Sequence, residues 1–137
     1  MNDFLFGEEH VRRYQETNGA EGHDWREGST VLLFTTTGRK SGQKTTTPLI
    51  YGLDGDNPVI VASKGGAPDH PGWYLNLVKS PEVEVQIKGD KFRARARTAE
   101  GEERVRLWKL MNGIWPHYDE YQTKTDREIP VVVLERG

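Results

Sequence analysis

Between Val83 and Arg97 apolar and polar residues alternate strictly. Val83, Val85 and Ile87 interleave with Glu84, Gln86 and Lys88, and Phe92, Ala94 and Ala96 interleave with Arg93, Arg95 and Arg97. A period of two marks half-buried strands, and Gly89-Asp90 between the runs predicts a two-residue hairpin loop. That loop sets Ile87 opposite Phe92, Val85 opposite Ala94, Glu84 opposite Arg95 and Glu82 opposite Arg97, so that one register serves both faces. Thr30 to Thr37 is dense in β-branched and apolar residues and too short for a typical helix, which predicts a largely buried strand. Further strands are predicted from Lys44 to Gly52, where Pro48 limits the ladder, from Val59 to Ser63 after the turn Asp54 to Asn57, and from Ile129 to Leu134.

Helical spacing appears in four places. Glu8 to Asn18 carries i,i+4 charge pairs and ends at Asn18-Gly19. A second helix follows Asp69, a candidate cap, with Pro71 in its first turn and with Trp73/Leu77 and Tyr74/Val78 recurring at i,i+4. Thr98 to Asn112 carries Val105, Trp108 and Met111 and closes at Gly113, and Tyr118, Tyr121 and Thr125 would share one face of a short helix. About six strands joined mostly by hairpins, with peripheral helices, predict a mainly β (α+β) fold built on a closed or half-open antiparallel barrel. Residues 1–28 form a helix and lead-in, and residues 29–137 the barrel, in one domain.

Composition narrows the function. The chain has 137 residues, 34% hydrophobic, which suits a thin core such as a small barrel. With 19 basic and 21 acidic residues the net charge is -2, so nothing global draws the protein to nucleic acid or an anionic membrane, and any anion site is local. The absence of Cys removes disulfides, thiolate metal sites and cysteine nucleophiles and is compatible with a reducing compartment. The N-terminus lacks a basic start and a long apolar run, and no segment approaches the ~20 apolar residues of a spanning helix. The expectation is a cytoplasmic protein, with Phe4-Leu5-Phe6 available for peripheral membrane contact.

Candidate chemistry sits in three segments. Gly38-Arg39-Lys40-Ser41-Gly42-Gln43-Lys44-Thr45 approaches a P-loop, but it has three residues between its glycines and leads into a strand, so the NTPase reading is rejected. It is either a solvated basic turn or a backbone-amide pocket with cationic walls for a phosphate or carboxylate. Ala62-Ser63-Lys64-Gly65-Gly66-Ala67 is either a flexible connector or a strand-end platform for a flat ligand. Trp115 to Tyr121 is either an aromatic lid or a pocket wall, with phenols to donate hydrogen bonds and Trp73 and Trp115 as flat apolar surfaces. The arginine stripe is balanced by the glutamates facing it, the four histidines are scattered, and no Gly-x-Ser-x-Gly elbow is present. If the protein is an enzyme, a cofactor would therefore carry its chemistry, and no metal is expected.

The segments Leu33 to Gly42, Thr47 to Tyr51, Ala62 to Ala67, Trp73 to Leu77 and Tyr118 to Arg127, taken in this order, resemble the deazaflavin-dependent nitroreductase family over nearly the whole chain. The resemblance implies a split β-barrel of the flavin-binding type and coenzyme F-420, a hydroxy-deazaflavin with a phosphate and an oligoglutamate tail; FMN ranks behind it. By the same resemblance Arg39, Lys40 and Ser41 meet the phosphate and acidic tail, and Thr45, Thr46, Thr47, Pro48, Leu49 and Ile50 form the adjoining strand. Val61, Ala62, Ser63 and Lys64 run beside the ring, as does the helix start Gly72, Trp73, Tyr74, Leu75 and Asn76. Ser63, Tyr118 and Tyr121 face the substrate, and Tyr118 also borders the cofactor. Thr45 and Trp115 stand where some relatives carry an arginine and a tyrosine.

The resulting expectation is a reductase that passes a hydride from the reduced deazaflavin to a small electron-poor acceptor, a quinone, enone or nitro compound, with Tyr118 delivering the proton. The alternative is a non-catalytic deazaflavin- or flavin-binding module. Either would be a monomer or homodimer, without nucleic acid and without an integral membrane segment.

Overall fold

The computed structural model describes residues 7–136, and Phe4-Leu5-Phe6 lies outside them. Helix α1 (Gly7–Thr17) leads into β1 (Val31–Thr37), β2 (Lys44–Ile50), β3 (Gly52–Asp54) and β4 (Asn57–Val61). Helix α2 (Gly72–Lys79) is followed by the hairpin β5 (Glu82–Ile87) and β6 (Asp90–Thr98), then α3 (Gly101–Ile114), α4 (His117–Thr123) and β7 (Val131–Arg136). The strands form one sheet of order β2-β1-β5-β6-β7-β4-β3, antiparallel at every step.

That order explains the barrel. Strands β2 and β3 are opposite ends of the sheet, yet only Tyr51 separates them in sequence. Six steps of about 4.8 Å would hold the ends of a flat sheet about 29 Å apart, whereas Ile50 to Gly52 spans at most about 7 Å. The sheet must therefore curl until its ends meet at Tyr51, whose N–H donates to Thr30 O (3.1 Å). The stretch Lys44 to Gly52 is thus two strands broken at this corner. The result is a split antiparallel β-barrel.

Alternation divides the packing into three clusters. Leu32, Phe34, Ile60, Val83, Val85, Ala94, Val132 and Leu134 fill one cluster together with Leu77 of α2. Val59, Val61, Val131 and Val133 lie in another, with Leu107 and Met111 of α3 and with Tyr118. Val31 and Leu33 pack against Tyr14 of α1. Strands β1 and β7 are buried on both sides, which is why they read as unbroken apolar runs.

Several details depart from the pattern. The β5–β6 loop is Lys88-Gly89, with Lys88 at φ +55°, so Val85 faces Phe92, Glu84 faces Arg93 and Glu82 faces Arg95. The shift is two positions, an even number, so the same residues still point inward. Its cause is the hairpin tip: Lys88 N–H donates to the Tyr14 hydroxyl (2.8 Å). Arg95 pairs with Glu82, and Arg97 with Glu103 and Glu135. Pro71, not Asp69, occupies the N-cap of α2, and Val78 points outward. Strand β6 pairs with β7 as far as Thr98, so α3 starts at Gly101, buries Leu107 and Met111 while Val105 is exposed, and runs past Gly113 to Ile114. Thr125 lies beyond α4.

Candidate functional site

The turn between β1 and β2 is closed by its own backbone. Gly38 N–H donates to Gln43 O (2.7 Å), Gly42 N–H to Gly38 O (2.9 Å) and Gln43 N–H to Ser41 Oγ (3.1 Å). Arg39 N–H donates to Asn76 Oδ1 (3.1 Å). Four amides of the turn are thus paired within the protein, and what its tip offers an anion is the Lys40 and Ser41 segment with the cationic side chains beside it. Arg39 Nη1 donates to Asn76 Oδ1 (2.9 Å) and Gly72 O (3.4 Å), and Lys79 Nζ to Arg39 O (3.0 Å). Asn76 Nδ2 reaches Thr36 Oγ1 (3.2 Å), so this buried amide ties the turn to both α2 and β1. Lys40 and Ser41 stand exposed.

The first turn of α2 carries this cationic patch to a groove of about 350 Å3 where the two ends of the sheet meet. Pro48, Leu49 and Ile50 of β2 and Val61 of β4 line it, with Ser63, Lys64 and Gly65, then Pro71 and Trp73. Trp25, Trp115, Tyr118 and Tyr121 complete the wall. Trp73 is edge-on to Phe34 (5.3 Å, 84°) and Trp25 lies 5.7 Å from Trp115 between ring centres, so core packing fixes these walls.

Helix α4 is held from α3. Asp119 accepts from Trp108 Nε1 (2.6 Å) and Asn112 Nδ2 (2.9 Å), and its N–H donates to Asn112 Oδ1 (3.0 Å). This sets Tyr118 into the groove wall at 5% exposure. Burial pushes its phenol well above the ordinary value, so it stays protonated. Its hydroxyl makes no hydrogen bond among the described residues, nor is it sealed from solvent. Tyr121 OH accepts from Trp115 Nε1 at 3.4 Å.

The Ser63 turn has three consecutive left-handed residues, Lys64 (φ +48°), Gly65 (+64°) and Gly66 (+85°). A Cβ on Gly66 would lie 2.6 Å from Tyr121 O, so glycine lets the turn press against α4; nothing lies within 4 Å of a Cβ on Gly65. Arg127 secures the turn from beneath. Its guanidinium donates to the carbonyls of Ala67 (2.9 Å), Ala62 (3.2 Å) and Ser63 (2.7 Å).

Of the residues singled out in the sequence, Pro48, Leu49, Ile50, Val61, Ser63, Lys64, Trp73, Tyr118 and Tyr121 thus meet at one groove. Arg39, Lys40, Ser41, Gly72 and Asn76 form the adjoining turn and helix start. Thr45, Thr46 and Thr47 instead border a depression beside α1. Ala62 is buried and Leu75 faces outward, while the Tyr74 hydroxyl meets Thr98 Oγ1 (2.8 Å). Gly65 joins them from the Ser63 turn that the sequence marks as a platform, whereas Trp25 and Pro71 join the groove without a sequence pattern to announce them. Among the described residues no group of three His, Asp or Glu is placed to hold a metal ion, and no helix is long and apolar enough to cross a membrane.

A curled antiparallel sheet with an aromatic groove at its seam and cations at its mouth is the frame of a split-barrel binder of planar ligands. The model of the family described as F420H(2)-dependent quinone reductase matches residues 6–136, and the chain belongs to that family. A Mycobacterium tuberculosis protein named as an F420H(2)-dependent quinone reductase is 43% identical over 130 residues, 93% of this chain and 87% of its own. Among solved structures, an F420-H2 dependent reductase (FDR-A) superposes with a TM-score of 0.72 at 49% identity, covering 77% of this chain and 93% of that one. Another, described as a domain-swapped dimer, gives 0.75 at 44% identity, covering 91% and 96%.

Proposed function

We propose that the protein reduces quinones with reduced F-420. The observation that carries the reading is Tyr118, a buried, protonated phenol with an unspent donor, set in a groove of flat rings. The residues present fit the cofactor. Trp73, Trp115 and the bare backbone at Gly65 suit a planar ring, and Arg39 and Lys40 suit a phosphate and a run of carboxylates. When bound, the reduced deazaflavin supplies a hydride from a ring carbon, two electrons and one proton, to the acceptor.

The chain supplies position and polarity. Pro48 to Ile50, Val61 and Trp73 confine the stacked rings and exclude water, so that ring-to-acceptor transfer begins from a fixed approach. As negative charge builds on a quinone oxygen, Tyr118 OH donates to it, with the Ser63 hydroxyl on the same wall as a second donor. A phenol held above its ordinary value stays protonated, so Tyr118 polarises the oxygen as a hydrogen-bond donor, and the proton that completes the hydroquinone comes from solvent by way of that hydroxyl. The product is the hydroquinone. Activated enones and nitro compounds, which develop charge on oxygen in the same way, are the further acceptors proposed.

The test is to mix the purified protein with reduced F-420 and menadione and follow cofactor absorbance. Oxidation above the protein-free rate supports the reductase. Tight binding without turnover assigns a carrier module instead.

A further inference from the structure

Trp25 reaches the groove from an irregular segment, residues 18–30, and three of the chain's four histidines contact that segment. His10 Nε2 lies 2.8 Å from Gly22 O, His23 Nε2 lies 2.9 Å from the Tyr51 hydroxyl, and His117 Nε2 donates to Glu27 Oε2 at 3.1 Å. His10 and His23 are buried, so they pin the base of the segment to α1 and to the barrel corner. Glu27 stands at its tip, in the 3-10 turn Arg26–Gly28, and meets α4 across 90 residues of sequence.

The tip contact falls next to the chemistry. His117 immediately precedes Tyr118, and its ring lies 4.8 Å from Trp115 and 6.3 Å from Tyr121 between centres. Glu27 holds φ +56° and ψ +32°, a left-handed conformation that glycine takes freely and glutamate does not. A residue kept there against its backbone preference points to its side chain as the reason. Around His117, Glu120 Oε2 lies 3.8 Å from Nδ1 on the same helix, Asp119 is committed to Trp108 and Asn112, and Arg26 stands over the Trp25 ring (5.3 Å). The Glu27 hydrogen bond foremost, then the charges of Glu27 and Glu120, raise the His117 pKa above its usual value near 6.5. A raised folded value means that the charged pair is complete below about pH 6.5 and weakens as pH rises through the folded value. Both side chains are exposed, so the pair adds little to global stability and acts on the local placement of the turn.

Resting on the reductase reading, we propose that Glu27 and His117 are positioning residues for the acceptor: their contact draws the Trp25 segment onto α4, so that Trp25 closes the groove wall beside Trp115 and Tyr118. Neither side chain lines the groove; they act through the indole between them. Acceptor binding is then tighter in acid, where the pair is charged, than in alkali. Because the wall confines the acceptor before and during hydride transfer alike, its loosening shows in KM and not in kcat.

The test measures KM and kcat for menadione, with reduced F-420 saturating, at pH 6 and pH 9 in the native chain, Glu27→Gly and His117→Gln, together with urea midpoints. Glycine suits the left-handed turn while removing the carboxylate, so it separates the contact from the backbone. The expected result at pH 6 is a KM about two- to fivefold higher in both variants with kcat little changed, and a urea midpoint for Glu27→Gly equal to or above the native one. At pH 9 the native KM should rise toward that of the variants. A native KM in both variants at pH 6 overturns the positioning role while leaving the reductase intact, as does a difference in KM that is the same at both pH values. A Glu27→Gly midpoint that falls along with acceptor binding assigns the pair to the fold alone and overturns it equally. Failure of the native chain to turn over menadione removes the reductase reading and the positioning role together.

Discussion

Arg127 donates from Nη2 to the backbone carbonyl of Ser63 at 2.7 Å, reaching across 64 residues of sequence to hold the turn that forms one lip of the groove. The same guanidinium binds Ala62 O and Ala67 O, so three carbonyls of one irregular loop depend on one planar fork. Lysine keeps the charge but cannot hold three directions at once. Arg127→Lys should lower stability by about 1–3 kcal/mol, since it leaves carbonyls short of partners, and reduce kcat/KM more than it reduces cofactor affinity. Urea unfolding and steady-state kinetics on the same preparation check this. Unchanged midpoints and rates would remove the clamp.

His70 makes that clamp sensitive to pH. Arg127 Nη1 donates to His70 Nδ1 (3.1 Å), which requires that nitrogen to be unprotonated. Burial first, then the Arg127 charge, lowers the His70 pKa below its usual value near 6.5. A lowered folded pKa means that the unfolded chain takes up a proton first as the solution acidifies. The stabilising contribution is therefore complete above about pH 6.5 and is lost as pH falls through the folded value. The urea midpoint should decline over that window, and His70→Asn, which retains an acceptor but does not titrate there, should flatten the decline. An identical pH profile in the variant would contradict the assignment.

Lys40 is exposed in the β1–β2 turn and has no hydrogen bond or ion pair among the described residues, unlike Arg39, which is braced against Asn76. If the turn meets the acidic tail, Lys40→Gln should weaken F-420 binding several-fold at low salt and make it less salt-dependent, while leaving the affinity for a deazaflavin without phosphate and glutamates unchanged. Fluorescence titrations of both ligands at two ionic strengths decide it. An equal loss for both ligands would place Lys40 in the fold rather than at the tail.

Much of this arrangement is legible in the residues, for definable reasons. The barrel interior follows from period-two alternation, and a hairpin register wrong by two positions leaves it intact, because parity alone decides which side chains turn inward. The register itself depends on Lys88 adopting φ +55° beneath Tyr14, a tertiary contact that no local pattern encodes. The corner at Tyr51 is equally hidden, since Lys44 to Gly52 looks continuous until the sheet order requires a break. Ser63, Trp73 and Tyr118 stand out as chemical types next to turns. Trp25 does not, because an irregular segment brings it to the groove, held by Trp25 N–H to Ser29 O (2.9 Å) and by the Asp24–Thr30 bridge.

The central claim is that Tyr118 acts on the acceptor and not on the cofactor or the fold. Single-turnover mixing of menadione with protein already loaded with reduced F-420, in native and Tyr118→Phe forms, tests it most directly. The expected result is a rate lower by about 10- to 100-fold in the variant, with F-420 affinity and thermal midpoint essentially unchanged. Equal single-turnover rates in the two proteins would contradict it.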